Sequence, residues 1–495
     1  MGDSLGQKTF SGLIWTFLET FSIQAFGFIQ GIVLARLLMP SDYGLIAMTG
    51  VFFAVSYALV DTGFTSALIR KKERKEIDYS TVYVTNVTLS FILCLILCLC
   101  APLIADFYNE PQLFPIVCAN AGLLFVGSFI AVQGARLTIQ LDFKTKSKIA
   151  VTSTVSTGIV SIIMAYMGFG VWSLIFPNFF SVLLRGILYF CYQHWFPGFR
   201  FSWKVYKEFF SYGSKLMASS LLNAIYGNVY SLVIGKFYSA SSLGYYTKGG
   251  GYANLPSSTL SGVLYKVTFP VLSKVQDDDV RLENAYRKMI RVSAYVVFPI
   301  MILLFVLARP LVLVLITEKW ENCIIYVQIL SIATMWGPIH SLNLNLLVVK
   351  GRSSLFLRLE VVKKIIGAVI LCITIPFGLV EMCYGQVFAS ILFLFVNTYY
   401  TGKLIHVGFM RQMRDLFPTM FYTSLMGVSV WFLSSLFTSS FLQIIVGILF
   451  GIPLYLLISK VSKSQEYVFL LDMLRQNVFL RKRMNRRADS VGDVS

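Results

Sequence analysis

Five charged side chains interrupt long apolar stretches of this sequence. They are Glu19, Asp61, Arg185, Lys215 and Lys248. A charge left in hydrocarbon costs about 3 kcal/mol on insertion scales, so such residues usually face the interior of a helix bundle or a wet cavity. Cations at that depth suit an anionic group such as a pyrophosphate. We therefore predict a charged binding cavity inside a bundle of helices.

Polar side chains accompany these charges, and Asn223, Asn228 and Asn254 are further candidates for lining the cavity. The group concentrates in the first, second, seventh and eighth apolar stretches of the chain. A cleft between two repeated halves is where transporter sites lie, which favours a binding site there.

Each charge also has a purely structural interpretation, which the sequence leaves open. Glu19 and Lys215 would form an ion pair, and Asp61 would brace the end of its helix. Arg185 and Lys248 would extend their long side chains to a membrane surface.

A run of three glycines, Gly249, Gly250 and Gly251, precedes Pro256 within one predicted helix. The run removes side chains and the proline removes one backbone donor, which permits a bend or local unwinding. We predict a gating hinge here, with a packing notch as the alternative.

The amino-acid composition indicates whether these residues lie in a soluble or a membrane protein. Of 495 residues, 56% are hydrophobic and only 13% are charged, whereas soluble domains carry about 25% charged residues. A soluble fold cannot bury that much apolar surface. This excludes a soluble enzyme, a nucleic-acid-binding domain and a disordered scaffold, and leaves an all-α polytopic membrane protein. The net charge of +18 then reflects Lys and Arg in cytoplasmic loops.

A membrane-spanning helix needs about 20 mostly apolar residues, and about fourteen stretches satisfy this. They cover roughly 12–36, 43–69, 80–105, 112–134, 149–168, 171–194, 209–236, 241–268, 288–308, 322–349, 357–376, 378–402, 417–437 and 439–459.

The loops between these stretches alternate in charge. About 30 of the 42 Lys and Arg residues fall in the loops after even-numbered stretches and in the tail, whereas the opposite loops are short and nearly free of them. Both termini are therefore predicted to be cytoplasmic.

An internal repeat relates the two halves. Leu34-Ala35-Arg36 followed by Gly44 matches Ile234-Gly235-Lys236 followed by Gly244, 200 residues later. We predict two parallel six-helix lobes, at 1–200 and 201–410, with two added helices at 411–460 and a cytoplasmic tail at 461–495. The tail has an amphipathic stretch and then five basic residues. It is predicted either to lie on anionic lipid or to be an ordinary positively charged cytoplasmic end.

Motifs for catalysis and cofactors are missing from the sequence. There is no nucleotide-binding loop, no Gly-x-Ser-x-Gly elbow and no pair of carboxylates in a common loop. The three His and eight Cys lack ligand spacing, and the Cys residues are interpreted as small buried apolar side chains. We predict neither an enzyme nor a metal site, and no cofactor beyond coupling to the membrane potential, protons or sodium.

Several motifs resemble bacterial polysaccharide flippases, the lipid-linked oligosaccharide exporters of the multidrug/oligosaccharidyl-lipid/polysaccharide superfamily, in the branch of the colanic-acid and teichuronic-acid exporters. The motifs lie at Ser231–Lys236, Leu243–Lys248, Asn254–Ser258 and Phe269–Asp278, with supporting pieces at Arg36–Gly44, Asp61–Phe64, Gly168–Leu174 and Glu318–Trp320.

The resemblance implies a carrier that moves an undecaprenyl-pyrophosphate-linked glycan unit outward by alternating access. It implies two lobes arranged as a V around a central cavity, with Lys248 at a usually basic position and Asp61 at a usually acidic one. Expected partners are the lipid-linked glycan, membrane lipids, and a polysaccharide polymerase with its chain-length machinery, but no nucleic acid. A peptidoglycan-precursor flippase, a drug or cation antiporter, and a membrane glycosyltransferase or polymerase remain as alternatives.

Overall fold

A computed structural model describes the backbone of residues 5–61 and 63–472, with their side chains except those of residues 5–11, 13, 61 and 215. This part of the chain consists of helices joined by short connections and contains no strand, which confirms the predicted all-α class. The helices are α1 (Leu5–Leu37), α2 (Pro40–Asp61), α3 (Phe64–Arg70), α4 (Glu76–Tyr108), α5 (Leu113–Ser128), α6 (Ala131–Ile139), α7 (Phe143–Tyr166), α8 (Phe176–Gln193), α9 (Trp203–Phe237), α10 (Ala240–Lys274), α11 (Asp279–Val306), α12 (Ala308–Ile316), α13 (Ile324–Thr334), α14 (Gly337–Val349), α15 (Ser353–Thr374), α16 (Leu379–Ile405), α17 (Phe409–Ser435) and α18 (Ser440–Val461), with short 3-10 turns at Gly170–Leu174, Glu318–Cys323 and Ile375–Phe377.

Twelve helical segments of the described chain are long and apolar enough to cross a membrane. The two other predicted spans, 241–268 and 357–376, are helices α10 and α15, but they carry more polar and charged residues. α15 alone contains Arg358, Glu360, Lys363 and Lys364. The chain is thus a polytopic membrane protein, and the count of fourteen spans stays a prediction.

Helices dominate because a bilayer offers no water to satisfy backbone groups, so each segment must pair its own N–H and C=O. Carboxylates satisfy the exposed N–H groups where helices begin. Asp142 accepts a hydrogen bond from the Thr145 backbone N–H (3.0 Å) at the start of α7. Asp278 does the same for Arg281 at the start of α11 (3.0 Å). The ends of these helices therefore follow from local side-chain chemistry.

Two spans in corresponding places of the predicted halves are interrupted. The fourth breaks between α5 and α6 near Phe129, and the tenth breaks between α13 and α14 near Met335. At the second break, the Ser257 hydroxyl donates to the Thr334 carbonyl oxygen (2.7 Å) and the Ser390 hydroxyl donates to the Ala333 oxygen (2.8 Å). Hydroxyl groups thus replace the hydrogen bonds that the break removes.

The chain divides into two compact units, Met1–Thr247 and Lys248–Ser495. The first has an apolar cluster that includes Phe64, Tyr83 and Phe209. The second has a larger cluster around Phe298 and Trp336. The predicted lobe boundaries at 200 and 410 are a statement about the internal repeat, and they stay a prediction.

Repeated glycines meet inside the first unit. A Cβ on Gly44 would overlap the carbonyl oxygen of Ala240, and a Cβ on Gly244 would overlap that of Pro40. Pro40 and Ala240 are separated by the same 200 residues as Gly44 and Gly244, so equivalent residues contact each other reciprocally. This reciprocity has the form of a two-fold contact, and it requires the hydrogen side chain of glycine on both helices.

The described start of the tail is helical from residue 465 to 472 and packs against α11 of the second unit. Arg291 forms an ion pair with Glu466 (3.1 Å), and the Lys288 ammonium lies 3.6 Å from the centre of the Phe469 ring. The basic residues at 481–487 lie outside the described residues, so binding of the tail to anionic lipid stays a prediction.

All eight cysteines are free. Burial was predicted for them, and it holds for Cys323 and Cys383. It is wrong for Cys191 and Cys372, which are exposed. An apolar surround in a membrane protein can be lipid rather than protein, which explains why an apolar sequence context did not require burial.

We predict that Gly44→Ala destabilises the protein. The added methyl group must displace the α10 backbone, a type of overpacking that costs about 1–3 kcal/mol. The midpoint of thermal unfolding in detergent, followed by tryptophan fluorescence, should fall. Gly27→Ala in α1 is the matched control, because a Cβ there meets nothing within 4 Å. Equal midpoints for the two variants would show that the contact at Gly44 is not tight.

Candidate functional site

The first unit contains a cavity of about 710 Å³ between its helices. Its walls come from the end of α2 and α3, from both sides of the break between α5 and α6, and from α8 and the start of α7. The polar and charged lining residues are Tyr57, Thr65, Asn120, Ser128, Thr138, Lys146, Asn178, Ser181, Arg185 and Tyr189. Interrupted helices next to a polar cavity are a recurring feature of transporter binding sites.

Arg185, a predicted site residue, lines this cavity from α8. Its Nε donates a hydrogen bond to the Ser153 hydroxyl of α7 (2.7 Å), and Ser153 is itself bonded to the Ser181 hydroxyl (2.9 Å). Both serines are buried. Two hydroxyls therefore fix the guanidinium in place, and no ion pair involves Arg185 within the described part of the chain.

Lys146 is a second cation of the cavity, and the sequence did not single it out. Its ammonium donates to the Thr138 hydroxyl of α6 (2.9 Å). Its position in the first turn of α7 made it one of many apparent loop cations. The available signal was its neighbour Asp142, whose cap starts the helix early and so places Lys146 within α7 rather than in the loop.

Glu19 is not among the residues lining the cavity. Its carboxylate accepts a hydrogen bond from the Ser147 hydroxyl (2.7 Å), which joins α1 to α7. The proposed partner Lys215 and the acidic residue Asp61 have side chains outside those described. The ion pair between Glu19 and Lys215 therefore stays a prediction. Asp61 ends α2 directly after the lining residue Val60.

Lys248 begins the second unit and lies among aromatic rings. Its ammonium is 5.7 Å from the centre of the Tyr252 ring and 5.9 Å from that of Trp320. Both distances fall within the range of cation–π attraction. Lys248 therefore lies within the second unit, whereas Arg185 and Lys146 lie within the first.

The predicted hinge lies within a continuous helix, because α10 runs unbroken through Gly249, Gly250, Gly251 and Pro256. A Cβ on Gly249 would lie 2.9 Å from Cβ of Tyr326, while one on Gly251 would meet nothing within 4 Å. Gly249 thus allows a close approach of α10 to α13. Bending at this segment stays a prediction.

The three asparagines are distributed differently. Asn223 and Asn254 are exposed on α9 and α10. Asn228 donates to the Ala224 carbonyl oxygen of its own helix (2.8 Å). A Cβ on Gly50 of α2 would lie 3.2 Å from the Asn228 side-chain oxygen. Asn228 is therefore placed at a contact between α2 and α9, and none of the three is among the residues that line the cavity described above.

The second unit contains a buried polar network that no sequence motif indicates. The Tyr286 hydroxyl donates to Asn343 Oδ1 (2.8 Å), and Gln412 Nε2 donates to the same oxygen (3.0 Å). All three side chains are buried. The network joins α11, α14 and α17 across more than one hundred residues of sequence, a separation that no local motif can signal.

An ion pair lies within helix α15. Glu360 and Lys363, spaced three residues apart on α15, form a salt bridge of 2.5 Å. The two charges compensate each other locally within one helix, so Arg358 and Lys364 account for the net positive charge of α15.

An ion-pair cluster joins helices α4 and α9 through the loop after α3. The Lys71 ammonium lies 3.0 Å from carboxylate oxygens of both Asp78 and Glu208. Partial burial lowers the pKa of Lys71, but hydrogen bonds and charge attraction from the two carboxylates outweigh it and raise the pKa above its ordinary value of 10.5. Nearby, a Cβ on Gly63 would lie 2.9 Å from the Gly213 backbone.

Comparison with known proteins shows which family and which proteins this chain is similar to. The model of a family described as polysaccharide biosynthesis protein matches residues 33–325. The chain is 27% identical to the lipopolysaccharide biosynthesis protein WzxC of Escherichia coli over 370 residues, 73% of this chain and 74% of that protein. It is 25% identical to the teichuronic acid biosynthesis protein TuaB of Bacillus subtilis over 354 residues, 71% and 73% of the two chains.

A solved structure shares the fold. The lipid II flippase MurJ, in an inward closed conformation, superimposes with a TM-score of 0.74 at 14% sequence identity. The match covers 91% of this chain and 98% of MurJ. The chain therefore shares the fold of MurJ.

We predict that Asp78→Asn destabilises the protein more than Glu208→Gln does. Asp78 is 2% exposed and also accepts a hydrogen bond from the Lys75 backbone N–H (2.8 Å) at the start of α4. Its loss should cost about 2 kcal/mol. Glu208 is 53% exposed, and solvent-exposed pairs contribute below about 1 kcal/mol. The free energy of unfolding in mixed micelles measures both.

Measurements at alkaline pH provide the control for the predicted effect of Asp78→Asn. Because the pKa of folded Lys71 is raised, its contribution is fully present below about pH 10.5 and is lost as the pH rises through the folded-state pKa. The destabilisation caused by Asp78→Asn should therefore shrink above that pH. A loss in Glu208→Gln as large as in Asp78→Asn would contradict this account of the cluster.

Proposed function

The chain belongs to the family of polysaccharide biosynthesis proteins, and we propose that it is a flippase for lipid-linked oligosaccharides. Its substrate is an undecaprenyl-pyrophosphate-linked repeat unit, moved from the cytoplasmic to the outer leaflet by alternating access. The units would supply a surface polysaccharide such as lipopolysaccharide, capsule or exopolysaccharide.

The observation that carries this proposal is the fold shared with MurJ over 91% of the chain, together with family membership. MurJ is described as a lipid II flippase. The cationic cavity in the first unit supports the same conclusion, because an anionic headgroup needs fixed positive charge in a low-dielectric layer.

The structure of the outer loop 309–321 favours transport over catalysis. The outer loop 309–321, which joins the predicted spans 288–308 and 322–349, is occupied by α12 and a 3-10 turn. Its carboxylate Glu321 pairs with Arg309 (2.9 Å). A polymerase or glycosyltransferase needs acid and base residues on the outer face, and this pairing favours a structural role for the loop. We therefore propose that the protein is not an enzyme.

The proposed location is the bacterial cytoplasmic membrane, with both termini in the cytoplasm. The cationic loops support this orientation. A lipid carrying about two negative charges would gain roughly 2.3 kcal/mol per charge per 100 mV on moving outward. A polymerase and its chain-length machinery would receive the flipped unit.

We predict that Lys215→Ala and Lys248→Ala each lower glycan export by about tenfold, equivalent to about 1.4 kcal/mol. The two ammonium groups would attract the pyrophosphate or acidic sugars, and Asp61 and Glu19 would pair with them in one state and release them in another. Export is measured as surface glycan in a complemented deletion strain. Lys274→Ala, at the cytoplasmic end of the same helix as Lys248, is the control. Wild-type export from both single variants and from the double variant would defeat this assignment.

We predict that deletion of the gene in its own host removes one surface glycan and causes its lipid-linked repeat unit to accumulate on the cytoplasmic side. Mass spectrometry of undecaprenyl-linked intermediates, resolved by leaflet, measures this and names the glycan. Accumulation of the peptidoglycan precursor would instead indicate a cell-wall flippase. Normal surface glycan with altered drug or cation sensitivity would indicate an antiporter.

A further inference from the structure

The cavity of the first unit combines two cationic side chains with no carboxylate among its described lining residues. We propose that it is an oxyanion site, which binds a carboxylate or phosphate group carried by the glycan itself. This inference rests on the proposed function and deepens it, because it assigns an acidic substrate.

The charge balance is the first argument. Arg185 and Lys146 both face the cavity, and neither forms an ion pair within the described part of the chain. Their described partners are the neutral hydroxyls of Ser153 and Thr138. A hydroxyl orients a cation but does not neutralise it, so the cavity keeps a net positive charge that an anion would compensate.

The hydrogen-bond geometry is the second argument. A guanidinium carries five N–H donors in a planar fork. Ser153 occupies the Nε donor (2.7 Å), which leaves the two terminal nitrogens for a ligand. Those two nitrogens match the spacing of two oxygens of a carboxylate or phosphate. The buried pair of Ser153 and Ser181 therefore fixes the guanidinium of Arg185 through Nε. Its two terminal nitrogens stay available to donate hydrogen bonds to a ligand.

The size and lining indicate a sugar rather than a bare ion. The volume of about 710 Å³ falls within the range of roughly 300–1,000 Å³ for small-molecule sites. Asn120, Asn178 and Tyr189 add amide and hydroxyl groups to the same walls. These groups can both donate to and accept from sugar hydroxyls. An acidic monosaccharide within the repeat unit satisfies both the charge and the hydroxyl groups.

The test measures binding by the full-length protein in phosphatidylcholine nanodiscs, using isothermal titration calorimetry. Glucuronate and glucose 6-phosphate are the acidic probes and glucose is the neutral one, while inorganic pyrophosphate represents the headgroup of the lipid carrier. We expect saturable binding of at least one acidic probe and weaker binding of glucose. Arg185→Gln should weaken acidic binding by about tenfold or more, the loss expected for a charge-assisted hydrogen bond. Which acidic probe binds distinguishes a sugar carboxylate from a phosphate.

Two further variants separate binding from folding. Arg185→Lys keeps the charge but loses the fork, so it should bind more weakly than wild type and more tightly than Arg185→Gln. Lys146→Gln should also weaken binding, whereas Lys148→Gln should not, because Lys148 lies two residues away, is exposed and does not line the cavity. Each variant must elute as a monodisperse peak with wild-type helical content.

Three results would overturn the assignment. One is equal affinity for glucose and both acidic sugars, or binding of pyrophosphate alone, which would assign the site to the lipid carrier. Another is acidic binding that Arg185→Gln leaves unchanged. The third is binding that occurs only in Asp61→Asn, which would mean that the protein's own carboxylate occupies the site.

The binding assay and the deletion experiment test the two proposals separately. Binding that depends on Arg185 in a protein whose deletion leaves surface glycan intact would refute the flippase and keep the site. Loss of glycan with binding insensitive to Arg185 would keep the flippase and refute the site.

Discussion

Polar groups in the membrane-spanning helices of this protein experience a low dielectric, where water cannot satisfy hydrogen-bonding groups that the protein leaves unpaired. The structure meets this demand with short-range partners. Hydroxyls of Ser257 and Ser390 satisfy the carbonyls at the break between α13 and α14. Glu360 and Lys363 neutralise each other on α15. Arg185 and Lys146 have hydroxyl groups as partners and no carboxylate among the described residues. Their positive charge is therefore available for a ligand.

The breaks in helices and the cavity are connected by the same constraint. An interrupted span frees backbone groups and makes room between neighbouring helices. In the first unit, residues on both sides of the break between α5 and α6 line the cavity that contains Arg185. In the second unit, the corresponding break is closed by hydroxyl groups from α10 and α16. The two breaks thus have different roles: the first lines a cavity and the second is closed by hydroxyl groups.

Most of the fold followed from hydrophobicity, because spans such as α4 and α18 are long apolar runs with turn residues at their ends. The site was harder to predict. Arg185 stood out by its depth in an apolar run, but Lys146 was hidden among loop cations, since only the cap at Asp142 shows that α7 starts before it. The network of Tyr286, Asn343 and Gln412 was missed, because its members lie far apart in sequence and each alone is an ordinary polar residue.

The reciprocal contact of Gly44 with Ala240 and of Gly244 with Pro40 has a consequence for the ancestry of the chain. A two-fold contact between equivalent residues is the geometry of a symmetric homodimer interface. Gene duplication followed by fusion would convert such a dimer into a single polypeptide and keep the interface within it. The first turn of the second helix would then have been a subunit contact before the two halves shared one gene.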